Sequence, residues 1–543
     1  MCNEDFNSAQ PIFLLLLFKL HTWEEIMKSK SGVNRIKPIV FFPAFILLII
    51  AIILNFINYE SFLKITTLAK DFMTLQCGWM FSLAGVACLL VITATYFSPL
   101  GNVRIGGPNA KPLLKKSSWF AVTLCTTIAA GILFWGTAEP IWHLAYPPTS
   151  LGIEPMSPAA AKFAMETLFL HWTFIPYAFY AVPTIVFAFA YYNMKRPFSV
   201  GSQISPIIGN RNQHKFDVIV DAIILFAVAA AISASFGTAV MNMGGGINAL
   251  FGIDNNKSLW IIITICGTIA FIISSGTGLF KGIRILSDLN VYLYYIIIAA
   301  LILLGPTVYM FSLGTESFGG FLSGIFNKAL FTGAASNDGW ASGWTTFYWS
   351  NWMAWAPVSA VFLARIAYGY TVKEIITMNF LVPSAFSAVW MAVLGGTAIH
   401  LQMTGKVDIL TIMNEQGSAA AGYAVLGSLP FSGILIGIYL LAVLISFITA
   451  TDSTTNAMAS ICTTGITDGG QEAPLYIKVT WGIIVGAVAL IFISTLGIDG
   501  IRMLSYLGGF PALFLGILSL ISLIYIMGKP KKFDAYSQSD RKA

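Results

Sequence analysis

Residues 347–365 read Phe347-Tyr348-Trp349-Ser350-Asn351-Trp352-Met353-Ala354-Trp355-Ala356-Pro357-Val358-Ser359-Ala360-Val361-Phe362-Leu363-Ala364-Arg365. The stretch is apolar enough to enter a bilayer, yet it is crowded with rings and followed by a proline. Tyr348, Trp352 and Trp355 fall at i, i+4 and i+7, so a helix stacks them on one face. Pro357 removes a backbone donor and is expected to break or kink the helix just beyond them. A broken helix with an aromatic face at membrane depth is where a transporter holds a small cationic solute. A lipid-interface aromatic belt uses the same residues. The stretch alone leaves both readings open.

Composition narrows them. The chain has 543 residues, 57% hydrophobic and only 10% charged, where a soluble protein carries roughly 25% charged residues. Repeated apolar runs of about 20 residues each suffice to span a hydrocarbon core. The fold class is therefore an all-α polytopic membrane protein. The six cysteines are scattered and show no zinc or disulfide spacing. The run Pro11 to Leu17 is too short to span and reads as a surface segment, not a signal peptide. No phosphate loop, HExxH or GxSxG motif is present. The sequence thus points away from an enzyme or an ATP-driven pump, and nothing in it suggests nucleic acid as a partner. Its partners are the lipid bilayer and a small-molecule substrate.

Twelve spans are expected, at about 39–58, 78–97, 118–138, 160–192, 216–249, 258–275, 287–311, 344–365, 375–399, 431–460, 474–496 and 503–527. Lys and Arg gather before the first span (Lys28, Lys30, Arg35, Lys37) and again in every second connection (Arg104, Lys111, Lys115, Lys116; Lys195, Arg196, Arg211, Lys215; Lys281, Arg284; Arg365, Lys373). Only the 461–473 connection lacks this bias. Both termini are accordingly expected in the cytoplasm. Residues 1–38 form the N-terminal segment, and 39–117 carry two accessory helices. The segment 312–343, with Phe318, Phe321, Ile325, Phe326 and Leu330, reads as an amphipathic helix on the outer face. The polar tail 528–543 reads as disordered.

Polar groups inside the spans need an explanation. In the third, Thr123, Thr126 and Thr127 precede Ala129-Ala130-Gly131, and Phe134-Trp135-Gly136 leads to Glu139-Pro140. Small residues there serve close packing or an unwound backbone. In the fourth, His171-Trp172 and Pro176-Tyr177 set rings beside a proline, and Trp172 and Tyr180 share a helical face. Gly244-Gly245-Gly246 marks a hinge or a close-packing site. In the tenth, Thr449-Ala450-Thr451-Asp452-Ser453 offers hydroxyls that either ligate a dehydrated cation or bond back to their own helix.

Together these segments resemble the betaine/carnitine/choline transporter (BCCT) family. The resemblance rests on 347–365 with Gly369, Thr371 and Glu374, on Gly106-Gly107-Pro108 with Ala110-Lys111-Pro112, and on Phe134-Trp135-Gly136 with Glu139. His171-Trp172, Lys281-Gly282-Ile283-Arg284, and Thr449 with Asp452-Ser453 complete it, all in family order from about residue 78 to 460. It implies a leucine-transporter-like fold of two inverted five-helix repeats, 118–311 and 344–527, preceded by the two accessory helices. It implies a secondary active transporter in the plasma membrane (the bacterial inner membrane), assembled as a homotrimer, that moves a quaternary-ammonium solute of the glycine betaine, choline or carnitine type by alternating access. The implied cage is Trp172, Tyr177, Tyr180 and Trp352, with Trp355 on the path to the cytoplasm and Trp142 at a position that is aromatic in carnitine-type members.

The departures are specific. Asn351 replaces a second tryptophan before Trp352, and Tyr177 replaces a family tryptophan. The family's GxGxG stretch reads Thr127-Ile128-Ala129-Ala130-Gly131, which makes Gly131 the remaining gating glycine. The sodium-binding hydroxyl pair survives only as Thr449, with Ala450 beside it, so Thr451 or the backbone around Thr449 is the candidate to complete a Na+ site near Asp452. Sodium-independent exchangers carry an arginine where this chain has Asn290. The alternative these departures raise is a sodium-independent transporter or exchanger of another zwitterionic solute or an amino acid. A receptor that binds without transport would carry a soluble output domain, and no stretch here reads as one.

Overall fold

The computed structural model describes residues 35–128, 131–209, 213–276, 279–465 and 473–539. Fifteen of its helices frame the site. They are α1 (Pro38–Ile57), α2 (Gly78–Phe97), α3 (Lys116–Ile128), α4 (Gly131–Ala145), α5 (Pro158–Trp172), α6 (Phe174–Ala188), α7 (Gln213–Phe251), α8 (Lys257–Gly276), α9 (Leu279–Leu304), α10 (Thr307–Ala329), α11 (Thr345–Ile366), α12 (Val382–Met403), α13 (Ser432–Ile461), α14 (Leu475–Leu496) and α15 (Ile498–Gly528). Among the described residues there is no strand, only two isolated bridges, and ten helices are long and apolar enough to cross a membrane. The expected third and eighth spans are not among the ten. The third is described only as α3 and α4, on either side of residues 129 and 130, which lie outside the described set, and α11 is long enough but carries Thr, Ser and Asn among its rings.

The site-bearing helix α11 sits at the centre, packed most extensively on α15 and α6, while α7 packs on α15 and α13. Close approach depends on Gly508 and Gly509. A Cβ at Gly509 would collide with the backbone of Ser350, and one at Gly508 would press on α7 at Ala227. Gly509→Val should therefore destabilise the bundle by about 1–3 kcal/mol through overpacking. The measurement is the melting temperature of the purified protein; an unchanged value would mean that α15 can withdraw from α11.

Several expectations are corrected. Pro357 does not break α11, which runs unbroken from Thr345 to Ile366; α15 and α6, packed along it, hold the helix together where one hydrogen bond is missing. The break beside the rings lies instead in the fourth span at Thr173 (φ −118°, ψ −118°), between α5 and α6. The glycines 244–246 form no hinge, because α7 continues through them to Phe251; they admit Asn255, Ala419 and Tyr423. The amphipathic helix begins earlier than 312, at Thr307, where Pro306 ends the preceding run. It buries Met310, Gly314, Ser317 and Phe321 against α5 and α12, whereas Phe326 and Leu330 remain exposed.

The tail is not disordered over 529–539, where it forms two short helices. Asp534 is buried and accepts from Asn193 Nδ2 (3.3 Å), while Lys195 Nζ reaches the Tyr536 hydroxyl (2.6 Å). The Tyr536 ring lies on Gly107, whose left-handed φ of +93° and missing Cβ make the seat. At the other terminus, Lys37 N donates to Cys462 O (2.8 Å) and Thr464 N to Arg35 O (2.8 Å), strapping the start of α1 to the end of α13.

Candidate functional site

Trp172 is the last residue of α5. The helix stops there because Thr173 leaves helical geometry and Pro176, the third residue of α6, has no N–H to give to the Trp172 carbonyl. The indole therefore projects from a helix end. On α11, the 3.6-residue period puts Tyr348, Asn351, Trp352 and Trp355 on one face. The two elements meet. Trp172 and Trp352 lie edge to face with centroids 5.4 Å apart, Tyr180 stands 5.4 Å from Trp352, and Tyr348 stands 5.5 Å from Trp172. The Trp352 indole N–H donates to His171 O (3.1 Å), tying α11 across the α5–α6 break.

Trp172, Tyr180 and Trp352, though not Tyr348, wall one partly open cavity. Of the residues singled out in the sequence, Gly131, Trp172, Tyr180, Asn351, Trp352 and Trp355 line it. At Gly131 a Cβ would come within 3.2 Å of the Trp172 indole, so this glycine makes room for the ring. Asn351 Oδ1 accepts from Ser505 Oγ on α15 (3.1 Å). Tyr177 stands behind Trp352, centroids 5.8 Å apart, with its hydroxyl on Ser387 Oγ (2.7 Å). Trp142 sits apart from the cage, donating to Ser418 Oγ (3.1 Å) and packing on Tyr146.

The cavity also takes in residues that the sequence did not nominate: Ser235 and Thr238 of α7, Phe347 of α11 and Ile501 of α15. Ser235 and Thr238 are three apart in an alanine-rich helix, a spacing that puts two hydroxyls on one face. That periodicity was the available signal. Thr126, Thr127 and Trp135 line it as well; residues 129 and 130 lie outside the described set.

The tenth-span residues form a second polar group. Thr449 donates to Ile445 O (2.8 Å) and Ser446 O (3.1 Å), which leaves its oxygen lone pairs free for another partner. Ser446 Oγ accepts from Asn290 Nδ2 (2.9 Å) and shares a hydrogen bond with the Tyr294 hydroxyl (2.7 Å). Asp452 Oδ2 accepts from Ser274 Oγ (2.9 Å), and Thr451 is buried one residue away. Asn290 is thus joined to Thr449 through Ser446.

Glu139, His143 and His171 are completely buried and offer ligand atoms within 4.8 Å of one another, a set able to hold a metal ion. Here the carboxylate is already engaged, with His171 Nδ1 at 2.7 Å and His143 Nε2 at 3.2 Å from Oε1. Trp172 Nε1 donates to Oε2 (2.7 Å), and so does the Tyr348 hydroxyl.

Comparison with known proteins now decides the family. Residues 39–532 match the profile described as BCCT, betaine/carnitine/choline family transporter. The chain belongs to this family. Among its relatives, glycine betaine transporter 1 of Vibrio parahaemolyticus is 31% identical over 428 residues, covering 78% of this chain and 80% of that protein. The glycine betaine transporter OpuD of Bacillus subtilis is 28% identical, covering 89% and 93% respectively. The ectoine/hydroxyectoine transporter of Virgibacillus pantothenticus is 27% identical, covering 93% and 98%. This BCCT chain is accordingly a membrane protein whose relatives are transporters.

Proposed function

We propose that this BCCT protein is a secondary active transporter that carries a quaternary-ammonium solute of the glycine betaine, choline or carnitine type by alternating access, coupled to sodium. One observation carries the reading: Trp172, Tyr180, Trp352 and Trp355, from α5, α6 and α11, wall a single cavity. A trimethylammonium group cannot donate hydrogen bonds, so ring faces are its best desolvated partners, at about 2 kcal/mol each when dry. Coupling rests on Thr449, whose lone pairs are free; Thr451, two positions on in the unbroken α13, turns to another face of that helix. The moving parts in this reading are the repeats 118–311 and 344–527, rocking about the cage, with 39–117 as accessory helices. Both termini face the cytoplasm of a bacterial inner membrane, and copies assemble as a homotrimer through the outward face of α10.

The alternative solute class, a zwitterion without a trimethyl group, draws on Asn351 in the cavity wall and on the relative named for ectoine. A thermal-shift panel of glycine betaine, choline, carnitine, dimethylsulfoniopropionate and proline, each with sodium or potassium, separates the readings. Stabilisation is expected from at least one trimethylammonium solute, and it is expected to be larger in sodium. Stabilisation by proline alone overturns the solute class. Equal shifts in both salts make Thr449 a structural residue.

A further inference from the structure

Glu139 stands behind the cage, outside the cavity wall, and the transport reading gives it no task. It is a completely buried carboxyl group on the apolar helix α4. Burying such a group is costly unless its charge is fully hydrogen-bonded. Both histidine rings meet Oε1, and the Trp172 indole and Tyr348 phenol donate to Oε2. The far nitrogen of His171 meets Thr345 Oγ1 of α11 (3.1 Å), so that ring is fixed at both ends. With each histidine neutral and donating one N–H, the cluster satisfies all its donors and carries one negative charge. Arg502 of α15 is a formal cation close by: its guanidinium lies 4.7 Å over the Trp344 ring, which packs on His143, and 5.8 Å over the Phe347 ring of the cavity wall, with Asp499 3.4 Å away as its ion-pair partner.

We propose that Glu139 is the specificity-determining residue that makes the cage select positive charge, acting through the Trp172 indole. A carboxylate that accepts from an indole N–H pushes electron density into the ring, so the face turned to the cavity becomes a better partner for a cation. Tyr348, held by the same oxygen and packed edge-on to Trp172, is polarised in the same sense. The low-dielectric surroundings let the fixed charge be felt further than water would allow. This inference rests on the reading of the cavity as a trimethylammonium site. Glu139 is a positioning and tuning residue that does not itself touch the solute.

The test compares two ligands of one shape. In 3,3-dimethylbutanoate a carbon replaces the quaternary nitrogen of glycine betaine, so the ratio of their Kd values on the purified full chain reports how strongly the site reads the positive charge. In the wild type the ratio should favour glycine betaine by about tenfold or more. In Glu139→Gln it should fall at least about fivefold, with the isostere binding as before or tighter. A merely structural role would weaken both ligands alike and leave the ratio unchanged, which would overturn the proposal. Trp172→Phe keeps a ring face but removes the N–H, and its ratio should fall comparably; if the glutamine variant does not fold, this ratio decides. A Trp172→Phe ratio equal to wild type overturns transmission through the indole. If the wild type binds no trimethylammonium solute, the reading of the cavity fails and the inference with it. A wild type that binds while both variants keep its ratio sinks the inference alone.

Discussion

Replacing Trp352 by alanine is expected to raise the Kd and apparent KM for a trimethylammonium solute at least about tenfold, corresponding to roughly 1.4 kcal/mol. Trp352 is the ring at which the cage converges, since Trp172, Tyr180 and Tyr177 all stand within 5.8 Å of it, centroid to centroid. Its loss removes one desolvated cation–π face and leaves His171 O without its indole donor. Trp352→Phe keeps a face and gives up the hydrogen bond, so it should fall between the two. Uptake into proteoliposomes at graded solute concentrations measures the effect. Wild-type kinetics in the alanine variant would show that solute does not rest on α11.

The second large effect concerns stability. Glu139→Ala withdraws the acceptor shared by His143, His171, Trp172 and Tyr348, all buried. A buried donor left unsatisfied costs about 1–3 kcal/mol, and relaxation or an entering water recovers part of the sum. A net loss of about 3–5 kcal/mol is expected, as when one member of a buried charged network is deleted. Monodisperse yield and melting temperature in detergent are the measurements. Glu139→Gln, which keeps an acceptor oxygen, should lose less. Equal melting temperatures for alanine and wild type would mean that the four donors find other partners.

How far the sequence could lead depended on how local each determinant was. The membrane class followed from composition, and the face of α11 from positions 348, 352 and 355, because both are properties of one helix. The cage could be proposed from rings on two segments. The Thr173 break was hidden, since Pro176 marks the region without saying which residue leaves the helix. Glu139 was visible only as part of a motif. Only His143, four positions on in α4, is joined to it by helical spacing; the other partners lie 32 and 33 positions away on α5 and 209 positions away on α11, where no spacing rule reaches. The tail misled for the same reason. Its polarity matched an unstructured end, but Asp534 is satisfied by Asn193, 341 positions earlier. Pro357 misled differently: by itself it marks a place where α11 could break, and packing on both sides carries the helix through it.

The seating of Tyr536 on Gly107, beside Lys195, makes the segment 529–539 a latch across two turns far apart in the chain. Any rearrangement that separates those turns has to release or stretch that latch. A purification handle fused directly after Phe533 would therefore alter the carrier it was meant to isolate, whereas a fluorophore near Ser537 would give a readout of those two turns separating and closing.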